Sequence, residues 1–116
     1  MKVKRIVTNI HSDAVSKAKS FYQDALGLHL IMDQGWITTY GFDQDMKVQI
    51  SIASQGGSET PTPDISIEVD DVDTAYTRIR EAGFQIEYGP VNEPWGVRRF
   101  YVRDPFGKLV NILAQQ

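Results

Sequence analysis

The chain has 116 residues and a mass of 13.1 kDa, with 41% hydrophobic and 23% charged residues, which is typical of one globular domain. Twelve basic and fifteen acidic residues give a net charge of −3, so the chain lacks the cationic surface that nucleic-acid binding requires. The absence of cysteine excludes thiol nucleophiles and cysteine-ligated clusters, and suits a reducing compartment. No apolar run approaches the roughly 20 residues that cross a membrane, and no leader pattern is recognisable, so we expect a cytoplasmic protein that binds neither membranes nor nucleic acids.

The first half of the chain has the pattern of a strand, a helix and three further strands. The first strand is predicted over 3–10, and Ser12 and Asp13 then favour a helix cap. The helix is predicted to end before Gly27, from a stripe of residues at helical spacing that comprises Ala14, Ala18, Phe21, Tyr22 and Ala25. The remaining strands are predicted over 28–32, 36–42 and 48–53.

The second half repeats this order of elements. Residues 54–63 carry two prolines and no large apolar side chain, so we expect a linker that stays out of the core. The pattern then predicts a strand over 65–69, a helix from the cap Asp70-Asp71 to Gly83, and strands over 84–88, 99–102 and 109–113. Asp13 and Asp71 are 58 residues apart, half the length of the chain. We therefore predict one α+β domain, residues 1–116, made of two βαβββ modules (1–53 and 64–116) joined by the linker 54–63.

Alternation along the strands separates an apolar face, which we expect to pack on the helices, from a polar face. Ile6 and Ile10 are expected on the helix side of the first strand, whereas Ser66 and Glu68 fall on the polar side of the fifth. That polar side is either solvated, paired with a partner or wrapped around a ligand. Aromatic residues near the third strand and the turns of each half favour a small-molecule cleft over a solvated sheet: Trp36, Tyr40, Trp95, Tyr101 and Phe106.

The polar residues give little support to metal, phosphate or activated-serine chemistry. His11 and His29 lack metal-ligand spacing, and the sequence has no phosphate-binding glycine loop and no nucleophile elbow. Trp95, between a proline and a glycine, indicates either a bend at a cleft or interface or a packing role. The arginines of the same segment either hold an anionic ligand or pair with carboxylates: Arg98, Arg99 and Arg103.

Two motifs carry a family resemblance that covers essentially the whole chain. They are Ser20-Phe21-Tyr22-x-x-x-Leu26-Gly27-Leu28 and Pro94-Trp95-Gly96-x-Arg98-x-Phe100-x-x-Arg103-Asp104-Pro105-x-Gly107. Together they resemble the vicinal-oxygen-chelate superfamily of glyoxalases, bleomycin-resistance proteins and extradiol dioxygenases, and are most similar to the bleomycin-resistance members. The resemblance implies paired βαβββ modules that form a curved, cup-shaped mixed sheet with helices on its outer face, commonly completed by a homodimer.

The resemblance also implies where a metal would bind. Enzymes of the family carry metal ligands on the first and fourth strands of each module, and these positions are Arg5, Gln49, Asp64 and Asn111 here. A guanidinium cannot ligate a metal, and amide oxygens are weak ligands for transition ions. We therefore predict no catalytic metal and no other cofactor, and we hypothesise that an Arg5–Asp64 ion pair takes the place of the metal.

The favoured hypothesis is a metal-independent small-molecule-binding protein that sequesters, confers resistance to or senses an aromatic or amphipathic ligand. Its ligand-binding residues are predicted to be Arg5, Asn9, Trp36, Gln49, Glu68, Trp95, Phe106 and Asn111. The first alternative is a lyase, isomerase or dioxygenase-type enzyme with non-standard ligands, in which Glu68 is the acid–base candidate. The second is an assembly module whose exposed sheet only dimerises.

Overall fold

The computed structural model describes residues 1–42 and 49–116. The turn expected near 43–45 and the expected start of the fourth strand at Val48 lie outside these residues. The chain divides into two units, which we call the central unit (residues 7–62) and the terminal unit (residues 1–6 and 63–116). Strand β1, Val3–His11, contributes to both. The strands pair both parallel and antiparallel, and the predicted α+β class with a mixed sheet is confirmed.

The central unit contains the second half of β1 and three more strands, which are β2 (His29–Asp33), β3 (Ile37–Gly41) and β4 (Gln49–Ala53). Their order is β2-β3-β4-β1, with β1 parallel to β4 and the other pairs antiparallel. Strands β3 and β4 lie within the predicted runs 36–42 and 48–53, and β2 extends one residue beyond the run 28–32, so the sequence pattern located all three strands. The buried glycines Gly56 and Gly57 show that the predicted linker is partly inside, because a backbone without side chains fits there.

A helical segment follows Asp13 as predicted, but it is not a regular α-helix. A 3₁₀ turn, Val15–Lys17, is followed by a π-helix, Lys19–Ala25, in which Leu26 N donates to Phe21 O at 3.1 Å. A bond that spans five residues widens the turn, so a stripe spaced for 3.6 residues does not stay on one side. Phe21 is consequently exposed, whereas Val15 is buried. The cap at Asp13 is not formed either, because the acceptor at this end is Ser12 Oγ, 3.0 Å from Ala14 N.

Two further expectations for the central unit and β1 are corrected by burial. Ile6 and Ile10 were expected under the helices but are 60% and 40% exposed, while Val7 between them is buried. Tyr40, expected on the wall of a cleft, is 2% exposed and packs in the helix-side cluster, stacked on Tyr22 with ring centroids 6.0 Å apart. Val15 and Ala18 of the helical segment pack against Tyr40 on β3 and Ile52 on β4, and this contact buries Tyr40.

The terminal unit contains the first half of β1 and the elements β5 (Ile65–Val69), α1 (Val72–Glu81), β6 (Ile86–Asn92), β7 (Val97–Arg103) and β8 (Leu109–Gln115). The strand order is β1-β5-β8-β7-β6, with β5 parallel to β8 and antiparallel pairing of β8 with β7 and of β7 with β6. Among the described residues, no helix is both long enough and apolar enough to cross a membrane.

Helix α1 starts at the predicted cap. Asp71 Oδ1 accepts from Thr74 N at 3.1 Å and Oδ2 accepts from the Thr74 hydroxyl at 2.7 Å, which satisfies a donor that the first turn leaves unpaired. The helix buries Val72 and Ala75 against a core on one face of the sheet. That core contains the residues that alternation placed on the helix side of β5 and β8: Ile65, Ile67, Val69, Val110 and Ile112. The opposite face of these strands is the polar face.

Strand β6 continues through the Gly89-Pro90 pair that was expected to end it. Two residues, Gly89 and Pro90, lie between the paired residues Tyr88 and Val91, whereas β7 has only Phe100 there, so β6 has a bulge. Gly89 has a φ of +75°, and a Cβ on it would lie 2.5 Å from the Arg99 carbonyl oxygen. The bulge therefore requires glycine, and it brings the end of β6 beside Arg99.

Candidate functional site

The polar face of the terminal unit carries a buried carboxylate, Glu68. Its side chain, on β5, is 5% exposed in the folded chain. Arg5 Nε on β1 lies 2.7 Å from Glu68 Oε1, and Lys4 Nζ lies 3.7 Å from Oε2. Two cations therefore compensate the cost of burying this carboxylate, and the solvated alternative for Glu68 is excluded.

The hypothesised Arg5–Asp64 ion pair is wrong. Lys2 N donates to Asp70 Oδ1 at 2.7 Å and Asp70 N donates to Lys2 O at 3.0 Å, which fixes the register of β1 on β5. Arg5 contacts Glu68, and at about 3.3 Å per residue Asp64 lies four residues, or about 13 Å, further along the strand direction. Asp64 Oδ2 instead accepts from the Leu109 backbone N–H at 2.8 Å.

A second buried ion pair joins Arg99 on β7 to Glu93 in the loop before it. Arg99 Nε donates to Glu93 Oε2 at 2.7 Å, Arg99 Nη1 donates to the Tyr101 hydroxyl at 2.9 Å, and the Tyr88 hydroxyl donates to Glu93 Oε2 at 3.2 Å. Arg99 is 3% exposed. The arginine and the glutamate thus form a neutral, hydrogen-bonded unit with two tyrosine hydroxyls.

Aromatic rings surround this pair. The guanidinium carbon of Arg99 lies 4.9 Å from the ring centroid of Tyr101, 5.0 Å from that of Trp95 and 5.4 Å from that of Tyr88. A cation at such distances is stabilised by the negative faces of the rings. We call the five residues Tyr88, Glu93, Trp95, Arg99 and Tyr101 the aromatic cluster.

The turn between β6 and β7 places Trp95 in this cluster. Gly96 N donates to Glu93 O at 3.1 Å and Glu93 N donates to Val97 O at 2.7 Å, so residues 93–96 form a tight hairpin turn. Pro94 fixes the second position of the turn, and Gly96 adopts a φ of +93°. The Pro-Trp-Gly motif therefore forms a hairpin turn, and this turn sets the Trp95 indole over the buried guanidinium of Arg99.

Asn111 on β8 lies beside the aromatic cluster, opposite Tyr101 in the ladder. Its Nδ2 donates to Ser66 Oγ at 3.1 Å, and no described residue donates to its buried Oδ1. If the amide is assigned in the opposite orientation, the nitrogen becomes the unpaired atom. Either way, this buried amide has one hydrogen-bonding atom left for a further partner.

Three of the predicted ligand-binding residues lie in the central unit. Asn9 pairs in register with Ser51, and Gln49 with Gly41, so Asn9 and Gln49 share one face of their sheet. The third residue is Trp36, just before β3, whose carbonyl accepts from Ser54 N at 2.9 Å. The remaining predicted residue, Phe106, belongs to the turn between β7 and β8 of the terminal unit and is 84% exposed.

The candidate metal-ligand positions of the terminal unit make contacts within the chain. Of the three positions of this unit that the family pattern implies, Arg5 is paired with Glu68, Asp64 accepts from a backbone N–H and Asn111 donates to Ser66. The buried carboxylate of β5, Glu68, is already paired with Arg5, whose positive charge repels a metal ion. Within residues 1–42 and 49–116, no group of three or more histidine, aspartate or glutamate side chains could hold a metal ion.

Sequence reasoning missed Glu93, Tyr88 and Ser66. A signal for Glu93 was available, because it directly precedes Pro94 at the predicted bend. The choice between anion binding and pairing for the three arginines is also settled: Arg98 pairs with Asp73, Arg99 with Glu93, and Arg103 with Glu87. Glu87 raises the pKa of Arg103 above its usual value by accepting a hydrogen bond.

Comparison with known families agrees with this architecture. The model of the Glyoxalase/Bleomycin resistance protein/Dioxygenase superfamily matches residues 6–112, and the chain therefore belongs to this superfamily. No curated protein matches the sequence significantly.

Solved structures show the same fold at low sequence identity. One described as NAD-dependent benzaldehyde dehydrogenase from Legionella pneumophila has a TM-score of 0.76 and 16% identity, over 97% of this chain and 100% of that one. A superfamily member from Vibrio splendidus 12B01 has a TM-score of 0.69 and 17% identity, over 99% and 100%. Methylmalonyl-CoA epimerase from Mycobacterium tuberculosis has a TM-score of 0.66 and 14% identity, over 98% and 87%. At these identities the likeness concerns the fold alone.

Proposed function

We propose that the protein binds a small aromatic or amphipathic molecule on the polar face of the terminal unit without a divalent metal. The observation that carries the proposal is the aromatic cluster, in which Trp95 and two tyrosines enclose the Arg99–Glu93 ion pair. Aromatic side chains with a few fixed polar groups are typical of small-molecule sites. Membership of the superfamily supports a small-molecule-binding or enzymatic role.

The charges of this face favour a ligand without a net charge. Arg5 and Arg99 each have a carboxylate oxygen 2.7 Å from Nε, so each positive charge is already compensated. Asn111, by contrast, has an unpaired polar atom within the described residues. We therefore expect a ring that packs beside Trp95 and one ligand hydrogen-bonding group that pairs with the Asn111 amide.

Ligand screening by thermal shift, combined with tryptophan fluorescence, tests this proposal. A ligand that binds only the folded chain raises the melting temperature, and one that contacts Trp95 also changes its emission. The chain has two tryptophans, so Trp36→Phe leaves Trp95 as the sole reporter and Trp95→Phe is the matched variant. We expect the ligand-dependent emission change to persist in W36F and to vanish in W95F. A saturable signal of equal size in W95F would contradict the assignment of the ligand to this face.

Metal independence has its own test. Dialysis against EDTA is expected to leave the ligand affinity unchanged, because the described side chains of this face offer ion pairs in place of metal ligands. Re-addition of Ni²⁺, Zn²⁺ or Fe²⁺ at one equivalent is likewise expected to have no effect. Binding that disappears with EDTA and returns with one of these ions would overturn this part of the proposal.

Buried Glu68 favours a second candidate function, a lyase or isomerase that transfers a proton. A carboxylate held between Arg5 and Lys4 has a fixed position, as a general base requires. If this candidate is correct, Glu68→Gln will abolish turnover of a ligand found by the screen and preserve its binding, while Glu87→Gln, at an exposed ion pair, will preserve both. Saturable binding without any turnover in the wild type favours the binding function.

Three finer assignments also belong to the proposal. They are similarity in role to the bleomycin-resistance members of the superfamily, a homodimeric state and residence in the cytoplasm. The first rests on the Pro94-Trp95-Gly96 motif, and the third on the absence of cysteine and the acidic composition. The dimer is supported by the exposed apolar side chains of the central unit, which are considered in the Discussion.

A further inference from the structure

A cavity lies in the terminal unit, on the side of the sheet opposite the polar face. It has a volume of about 280 Å³ and lies between the sheet and the segment that follows α1. Its lining includes the apolar residues Ile65, Ile67, Ile79, Phe84, Val110 and Ile112. Residues 65, 67, 110 and 112 alternate along β5 and β8 with Ser66 and Asn111, so this cavity and the polar face are separated by the thickness of the sheet.

The side chains at the C-terminal end of α1 leave this space open. Ile79 reaches the sheet from the last turns of the helix, and the chain then turns at Gly83. Phe84, the next residue, borders the cavity but remains 40% exposed. An aromatic ring is thus held at the mouth of an apolar space without filling it.

The polar groups near the mouth are already bonded within the chain. Asp104 Oδ1 accepts from the backbone N–H groups of Phe106 at 2.8 Å and Lys108 at 2.9 Å. Arg103 Nε donates to Glu87 at 2.7 Å. A charged ligand would lose its hydration on entry and meet walls that are apolar apart from Arg103 and Asp104, whose charged groups already have partners within the chain, and this is costly.

We propose that this cavity is a binding site for an uncharged apolar molecule, distinct from the ligand of the polar face. A dry apolar cavity of roughly 150 Å³ binds benzene, so a volume near twice that accommodates an apolar body of about ten carbon atoms. The binding free energy comes from removing apolar surface from water on both sides. The site does not depend on the proposed function of the polar face.

Naphthalene, with ten carbons and no charge, is the probe, and 2-naphthoate is its charged counterpart. In the wild type we expect saturable chemical-shift changes of the Ile67 and Ile79 methyl groups with naphthalene, and affinity for 2-naphthoate that is at least about tenfold weaker. Absence of saturable shifts at these methyl groups would overturn the proposal. Equal affinity for the two probes would also overturn it, because it would show that the mouth accepts charge.

Two exposed phenylalanines provide matched variants. Phe84→Ser removes a ring that borders the cavity and is expected to weaken naphthalene binding at least about threefold, while Phe42→Ser removes an exposed ring of the central unit, outside the lining, and is expected to leave it unchanged. Ile79→Phe fills the space and is expected to abolish the shifts. Equal effects of the two serine variants, or naphthalene binding preserved in folded I79F, would contradict the site. An increase in the molecular mass of the protein in solution on adding naphthalene would indicate that a second copy of the chain covers the cavity. That result would also overturn the proposal.

Discussion

Arg99 is the residue on which the polar face of the terminal unit most depends. Its guanidinium donates to Glu93 and to the Tyr101 hydroxyl and lies within 5.4 Å of three ring centroids. Arg99, Glu93 and Tyr101 are buried and Tyr88 and Trp95 are half-buried, so water cannot replace the hydrogen bonds that Arg99 makes to Glu93 and Tyr101. The aromatic cluster is therefore both a candidate binding surface and a structural element.

Replacing Arg99 leaves Glu93 as a buried carboxylate without its counter-charge. We expect Arg99→Met to lower the free energy of unfolding by about 3–5 kcal/mol, as measured by urea denaturation. The neighbouring Arg98→Met removes a more exposed pair, with Asp73, and is expected to cost about 1 kcal/mol or less. Similar losses in the two variants would show that the Arg99–Glu93 pair is not buried in solution.

Gly89 is constrained by its φ and by its closeness to β7. Gly89→Ala places a Cβ 2.5 Å from the Arg99 carbonyl oxygen, and we expect it to cost about 2 kcal/mol or more. Gly107→Ala is the control, because Gly107 has a similar φ of +77° and no heavy atom within 4 Å of the added Cβ. The difference between the two variants in free energy of unfolding, measured by urea denaturation, gives the cost of the steric clash at Gly89. Equal free energies would show that there is no clash.

At the scale of elements, α1 is stabilised at its start by an ionised aspartate. Hydrogen bonds from the Thr74 side chain and backbone lower the pKa of Asp71 below its usual value. A group with a lowered pKa stabilises the fold above its unfolded pKa of about 3.9, and this contribution is lost as the pH falls through the folded value.

We accordingly expect Asp71→Ala to lower the melting temperature at about pH 7 and to differ less from the wild type as the pH falls below about 3.9. Asp13→Ala is the control, because sequence spacing predicts a cap at both aspartates and the structure forms only the cap at Asp71. A deficit of D71A that persists unchanged to about pH 2, or an equal deficit of D13A, would argue against the capping role.

The sequence predicts strands better than the first helix, for a physical reason. Strand β5 and the start of α1 follow from two-residue alternation that ends at Asp70-Asp71, and both are confirmed. The π-helix at Lys19–Ala25 is different, because its stripe of alanines and aromatic residues also fits an α-helix. The two differ only in which carbonyl each N–H reaches, which depends on packing rather than on local spacing.

For the candidate site, too, the sequence predicts some features and not others. Alternation placed Glu68 and Asn111 on the polar face, while the partner of Arg5 could not be read from the chain. That partner depends on the register of β1 on β5, which is set by the bonds between Lys2 and Asp70. Spacing along a strand predicts a face, whereas the neighbours on that face depend on pairing between distant segments.

At the scale of the whole molecule, membership of the superfamily fixes the architecture and leaves the ligand open, since one fold supports many functions. The central unit adds a feature of its own, a set of exposed apolar side chains that includes Phe21, Leu26, Leu30 and Ile31. All five residues of β2 are exposed, and β2 is a terminal strand in the pairing order. Exposed apolar side chains on an edge strand are typical of a protein–protein interface.

We expect the chain to sediment at twice its mass of 13.1 kDa and Leu30→Lys to shift it towards the monomer. Phe106→Lys introduces the same charge at an exposed apolar residue of the terminal unit and is expected to leave the dimer intact. A wild-type monomer at micromolar concentration, or equal dissociation in both variants, would exclude a dimer through β2.

The composition of the terminal unit has a consequence for the order of folding during synthesis. This unit combines residues 1–6 with residues 63–116, so the ribosome makes all of residues 7–62 before the partners of the first six residues emerge. Arg5 has to wait for Glu68, and β5 in turn has to wait for β8, its parallel neighbour. The nascent chain can therefore complete the central unit first, while the aromatic cluster assembles only after β7 has left the exit tunnel.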